Sequence, residues 1–202
     1  MIYFISRVLF TLYLKACFGF EVKGRENIPE RGPFIIVANH VSYGDPVVMG
    51  VAFNNVQVAF VAKKELFELP FVGGWLRSLG CISIKRWSGS SKPLKRSLKK
   101  IKEGSVLGMF PEGTRSFDGR LQKAQPGVGL IAAKTGAPII PMYISGTEKA
   151  LPRGAKMPRP CKVRATVGKA VNISDGLKVA DRKMRYEMIG EKIMEAIAKL
   201  ND

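Results

Sequence analysis

The feature that most restricts this chain is a run of five apolar residues, Phe34-Ile35-Ile36-Val37-Ala38, held between Pro33 and the polar pair Asn39-His40. Five residues are too few for a buried helix and suit a strand covered on both faces. Comparable short runs recur at 20–24, 56–61, 81–85, 106–110, 137–144 and 161–168. Most are rich in valine and isoleucine and bounded by glycine or proline, the signature of strands. Helical stretches lie between them. Asp45-Pro46 reads as a helix start, with Asp45 as N-cap and Pro46 at the first helical position. Residues 91–104 set Leu94, Leu98 and Ile101 on one face and Lys92, Lys95, Arg96, Lys99, Lys100 and Lys102 on the other. Residues 127–136 read as a short buried helix, and 181–200 space Met188, Ile189, Ile193, Ile197 and Leu200 helically. The stretch 146–160 reads as a long, basic, irregular loop of the kind that often carries function. Strands alternating with helices predict an α/β fold: a single domain with a mostly parallel or mixed central sheet flanked by helices.

The first 18 residues are apolar but broken by Arg7 and Lys15. The uncharged run between them falls well short of the roughly 18–20 residues that a spanning helix needs. No basic segment precedes it and no small-residue cleavage site follows, which argues against a cleaved leader. On a helix, Tyr3, Arg7, Thr11 and Lys15 share one face, and Ile2, Ile5, Leu9, Leu12 and Ala16 share the opposite one. This predicts an amphipathic membrane-interface helix at 1–18, basic side out to the headgroups, ahead of a domain at 19–202. A core helix with a polar stripe facing water is the competing reading.

Lysine and arginine total 33 against 16 acids, a net charge of +17. That excess favours acidic partners: nucleic acid, anionic lipid, a phosphorylated substrate or an acidic carrier protein. Cys17, Cys81 and Cys161 are far apart and form no metal-ligand spacing. Three free thiols fit a reducing compartment.

Polar clusters stand where three strands run out: Asn39-His40, Lys85-Arg86 and the segment 111–116. Carboxyl ends of strands in open α/β sheets form the ligand crevice, so parallel neighbouring strands would bring these clusters to one site. Imidazole is the side chain that exchanges a proton near neutral pH. His40 is the single histidine, and Asp45 could fold back across Gly44 to fix its tautomer. Asp45 could equally serve only as a helix cap. Ser42 lacks the nucleophile-elbow context and reads as a turn hydroxyl. Arg86 and Arg115 offer planar forks suited to phosphate, and Gly113 permits a close backbone approach. Glu112 could receive a substrate hydroxyl or orient an arginine. The stretch 127–132 imitates a dinucleotide-binding fingerprint but lacks the preceding strand.

Together these clusters resemble the glycerolipid acyltransferases, specifically the 1-acylglycerol-3-phosphate acyltransferases. An Asn-His-x-Ser-x-x-Asp block is matched by Asn39, His40, Ser42 and Asp45, and a Gly-x-Ile-x-Ile-x-Arg block by Gly80, Ile82, Ile84 and Arg86. Phe-Pro-Glu-Gly-Thr-Arg-Ser is matched by residues 110–116, and an apolar strand around a proline by the run containing Pro141. Lys85 stands where many members carry an acid or Asn. The resemblance implies that His40 and Asp45 are catalytic. It implies that Arg86, Glu112, Gly113, Thr114 and Arg115 bind the glycerol phosphate, and Lys123 resembles a basic position of one branch. It further implies transfer of an acyl group from acyl carrier protein or coenzyme A to the sn-2 hydroxyl of lysophosphatidic acid, with no metal or redox cofactor. An acyltransferase for glycerol-3-phosphate or another lysophospholipid is the alternative. The expected setting is peripheral, at the cytoplasmic face of the cell membrane on an anionic surface. Nucleic acid is not expected, since no recognisable motif for it is present.

Overall fold

Every residue of 34–38 is buried, which demands cover on both faces and a central place in a sheet. The computed structural model describes residues 2–85, 91–152, 154, 155 and 157–201. Its strands are β1 (Glu21–Lys23), β2 (Phe34–Ala38), β3 (Val58–Lys63), β4 (Ile82–Ile84), β5 (Val106–Met109), β6 (Ile139–Ser145) and β7 (Arg164–Val167). They form one seven-stranded sheet in the order β1-β7-β6-β2-β5-β3-β4. All neighbours are parallel except β6 and β7. The expected α/β domain with a mixed, mostly parallel sheet is what the chain forms.

The helices are α1 (Ile2–Phe18), α2 (Asp45–Ala52), α3 (Lys64–Glu68), α4 (Val72–Ser78), α5 (Lys92–Lys102), α6 (Pro126–Thr135), α7 (Thr147–Ala150), α8 (Ser174–Lys178) and α9 (Arg182–Ala198). Alternation along β2 divides the core into two layers. Phe34, Ile36 and Ala38 face a cluster containing Leu14 and Phe18 of α1 and Val48, Met49 and Ala52 of α2. Ile35 and Val37 face the other cluster, with Ile101 of α5, Val128 and Ile131 of α6, and Ile189, Ile193 and Ile197 of α9.

Three differences from the expected elements have physical reasons. β3 starts and ends two residues later than the run 56–61, because its register with β4 pairs Val61, Ala62 and Lys63 with Ile82, Ser83 and Ile84. The segment 146–160 is not wholly irregular: α7 begins it, after Gly146. Gly44, not Asp45, is the cap residue of α2, and Asp45 opens its first turn.

α1 departs from expectation in its orientation. Its polar edge is turned to the domain at Tyr3, Ser6 and Arg7 rather than outward to headgroups, while Lys15 at its far end is exposed. Tyr3 Oη donates to the Val56 carbonyl at 2.7 Å, and the Arg7 guanidinium donates to that of Asn54. Ser6 Oγ accepts from Trp75 Nε1 at 2.9 Å. The loop after α2 presents carbonyls that no strand or helix uses, and these donors satisfy them. The opposite side, with Ile2, Ile5, Leu9 and Leu12, is exposed. Among the described residues, no helix is long and apolar enough to cross a membrane.

Candidate active site

The site grows from the carboxyl end of β2. Asn39, the first residue beyond it, is buried and braces β2 to β6: its Nδ2 donates to the Ile144 carbonyl at 2.9 Å, and its Oδ1 accepts from Ile144 N–H at 2.7 Å. The backbone then turns, and His40 Nδ1 lies 2.8 Å from Asp45 Oδ2. Asp45 is fully buried. Its Oδ2 also accepts the Val41 and Ser42 amides at 2.7 and 2.8 Å, and its Oδ1 accepts Thr147 Oγ1 at 2.6 Å. A buried carboxylate with these donors is an acceptor only, so Nδ1 carries the ring proton and Nε2 carries the lone pair. The question of capping or pairing is thereby answered: the carboxylate faces the imidazole and the turn amides.

Neighbouring groups hold the imidazole in place. It stacks on Phe110, with centroids 4.1 Å apart and planes 19° from parallel. The His40 N–H donates to Glu112 Oε1 at 2.9 Å, and its carbonyl accepts from Ser116 N–H at 2.7 Å. The segment after β5 thus grips both backbone groups of the histidine. Parallel pairing of β2 with β5 makes this possible, because it brings their carboxyl ends side by side.

Glu112 braces the backbone around the histidine. It is buried, and its two oxygens accept backbone amides, Oε1 from His40 and Oε2 from Gln122 at 3.2 Å. It ties three segments together. Burial pushes its carboxyl above the ordinary value, and the Asp45 charge adds to that rise, while the two amides oppose it.

Gly113 adopts φ 70°, a left-handed turn open to glycine. Gly113 and Thr114 are exposed, and Arg115 is half-buried. The Arg115 guanidinium carbon stands 3.6 Å from the centroid of the Tyr43 ring, a cation–π stack. Tyr43 sits in the turn between His40 and Asp45, so this stack draws the arginine to the histidine loop. Lys123 is exposed, next to the Gln122 whose amide Glu112 fixes. Arg86 lies outside the described residues. The strand leading to it, β4, is two places from β5 in the sheet, roughly 10 Å away at ordinary strand spacing.

Ser42 behaves as the turn hydroxyl expected of it. It is fully buried, donates to the Leu151 carbonyl at 3.0 Å and accepts from Gly44 N–H at 3.2 Å. Two partners escaped sequence reasoning. Tyr43 lies inside the first block and could have been suspected as a partner for an arginine. Thr147 had no local signal, being 102 positions from Asp45. Gly146 places it: with φ 90°, and with a Cβ there only 2.1 Å from the Lys162 carbonyl oxygen, only glycine fits.

This arrangement equals a proton acceptor with a fixed tautomer beside a guanidinium, at the carboxyl ends of the parallel strands β2 and β5. Residues 19–145 match the family model described as Acyltransferase. The chain is 32% identical over 157 residues to the chloroplastic 1-acyl-sn-glycerol-3-phosphate acyltransferase BAT2 of Brassica napus, covering 76% of this chain and 45% of that one. It is 26% identical over 186 residues to the 1-acyl-sn-glycerol-3-phosphate acyltransferase of Bacillus subtilis, covering 91% and 90%. The crystal structure of the 1-acyl-sn-glycerophosphate acyltransferase of Thermotoga maritima superposes with a TM-score of 0.78 at 29% identity, covering 98% of this chain and 78% of that one. The chain spans under half the length of the Brassica relative and most of the length of the Bacillus and Thermotoga ones. The family model covers well over half of the 202 residues and includes His40, Asp45 and the whole of 110–116; the chain belongs to the acyltransferase family.

Proposed function

We propose that this chain transfers a fatty acyl group from an acyl thioester to the sn-2 hydroxyl of lysophosphatidic acid, giving phosphatidic acid. The observation that carries the reading is the His40 ring, its Nδ1 on the buried Asp45 carboxylate. Nε2 takes the hydroxyl proton as the oxygen attacks the thioester carbonyl. Asp45 stabilises the imidazolium that forms. The carbon–sulfur bond then breaks, and Nε2 returns the proton to the departing thiolate. Base assistance of this kind contributes about 10²–10⁴-fold, and alignment of the two substrates supplies much of the remainder. The scheme uses no metal and no redox group.

Arg115 holds the acceptor's phosphate, joined by Arg86 and Lys123. Guanidinium forks match phosphate oxygens in pairs. Acyl carrier protein and coenzyme A both present the thioester this scheme requires. The exposed apolar side of α1 supports a peripheral position on a membrane surface. The excess of basic residues favours an anionic one.

The test is thiol release from an acyl-coenzyme A, with lysophosphatidic acid, glycerol-3-phosphate, another lysophospholipid, or no acceptor. Release that depends on lysophosphatidic acid, with phosphatidic acid as product, is expected. Release that depends instead on glycerol-3-phosphate would move the assignment to that acceptor.

A further inference from the structure

The turn between α3 and α4 holds Phe71 away from the domain. The residue is 94% exposed. Its backbone lies at φ 62° and ψ −50°, and it is the one non-glycine residue at positive φ among the described residues. Val72 N–H donates to the Pro70 carbonyl at 2.6 Å. Pro70-Phe71-Val72 is therefore a γ-turn of the rare, strained hand.

Strain of this kind persists only where the surroundings over-determine it, and it gathers at functional positions. Here the surroundings do so. A Cβ on Gly73 would stand 2.1 Å from the Phe67 carbonyl oxygen, so the two short helices meet there backbone to backbone. Arg77 Nη2 donates to that same carbonyl at 2.7 Å. Gly73 N–H donates to the Leu69 carbonyl, and Trp75 N–H to that of Phe71. The Phe71 ring adds nothing to this framework, since a side chain so exposed buries almost no area. The fold holds a strained turn and places a large apolar ring in water.

The tip is also wider than one ring. Leu69 and Val72 beside it are exposed as well. One turn further on, Trp75 bonds Ser6 and packs its ring 5.9 Å from that of Phe10, which joins this hairpin to α1. α1 in turn exposes Ile2, Phe4, Ile5, Leu9 and Leu12.

We propose that Pro70-Phe71-Val72 is a membrane-inserting tip that docks the domain on a lipid surface together with the outward side of α1. The proposal rests on the reading that the acceptor is a lipid. A fluid apolar phase accepts a projecting ring without a matching shape. A protein partner would need a complementary patch of about 800 Å² on this chain with a polar rim.

Phe71→Gly tests it, because glycine removes the ring and relieves the positive φ together. The readout is flotation with phosphatidylcholine vesicles at high salt, where attraction of basic side chains to anionic groups is screened. The bound fraction should fall about tenfold, the effect of losing one buried aromatic ring, while the melting temperature stays the same or rises. Phe71→Leu should retain most of the binding. Unchanged flotation of Phe71→Gly would overturn the tip. So would a lowered melting temperature, which would make the ring a packing residue, or loss of self-association in sedimentation, which would make it a contact between copies. Flotation reads the tip whether or not the parent transfers acyl groups, so the two proposals fail separately.

Discussion

Thr147 Oγ1 donates to Asp45 Oδ1 across 2.6 Å, with both residues buried. The oxygen that faces His40 is the other one, Oδ2. Thr147 therefore sets the rotation of the carboxylate without touching the imidazole. Thr147→Val should lower kcat roughly ten- to a hundredfold, as a small misplacement of a catalytic group does. The KM for lysophosphatidic acid should hold, and Thr147→Ser should restore the rate. Steady-state kinetics of the three forms check this; a rise in KM alone would place Thr147 elsewhere in the mechanism.

His40→Ala should abolish thioester-dependent acyl transfer, a loss of at least about 10²-fold. Asp45→Asn should cost on the order of 10²- to 10⁴-fold, because the amide no longer enforces the proton on Nδ1. Circular dichroism should show both variants folded. A normal rate in His40→Ala would sink the mechanism.

Arg115 and Tyr43 form a pair whose ring supports the guanidinium. Arg115→Ala should mainly raise the KM for lysophosphatidic acid. Tyr43→Ala should raise it less, by roughly the 0.5–1 kcal/mol of an exposed cation–π contact, or about two- to fivefold. In the double variant the two effects should be less than additive, since both act on one contact. Independent effects would separate the ring from the arginine.

Glu112 gives a stability prediction with a definite sign. Burial raises its carboxyl in the folded state above the ordinary value. The folded chain then binds more protons than the unfolded one in the window above about pH 4.5, so this group's contribution to stability falls as pH rises through it. The stability of the parent relative to Glu112→Gln should therefore decline between the ordinary carboxylate value and the raised one. Urea unfolding of both proteins across that range measures it; a difference independent of pH would contradict the shift. Activity of Glu112→Gln should fall, because an amide nitrogen would oppose one of the two backbone donors.

The outward side of α1 should carry vesicle binding. Leu9→Asp with Leu12→Asp should reduce flotation with anionic vesicles, since each removes exposed apolar surface. These substitutions leave Leu14 and Phe18 in the core, so the melting temperature should hold. Deleting the whole helix would be a poorer test, because it would remove both core residues. Equal flotation of the double variant would count against an interfacial helix.

Much of this protein is determined by local pattern. The apolar run 34–38 could only be a covered strand, and the alternation of such runs with helices required an α/β sheet. The blocks around His40, Gly80–Arg86 and 110–116 marked the strand ends that carry polar chemistry, and their residue types announced proton transfer and phosphate binding. Those inferences rest on short-range periodicity and on the side chains themselves.

The rest needed the tertiary structure, because it depends on contacts between residues far apart in the chain. Asp45 could cap a helix or face a histidine by the same local geometry; Thr147, 102 positions away, and the turn amides decide between them. The two oxygens of Glu112 meet the amides of His40 and Gln122, partners that lie 72 and 10 positions away and carry no local signal. The amphipathic pattern of α1 defined two faces but not which one turned inward, and the unsatisfied carbonyls of Asn54 and Val56 drew in the polar one. Phe71 had no signal at all in a run of apolar residues. Its exposure follows from a backbone turn fixed by Gly73 and Arg77, a matter of how two short helices meet in space.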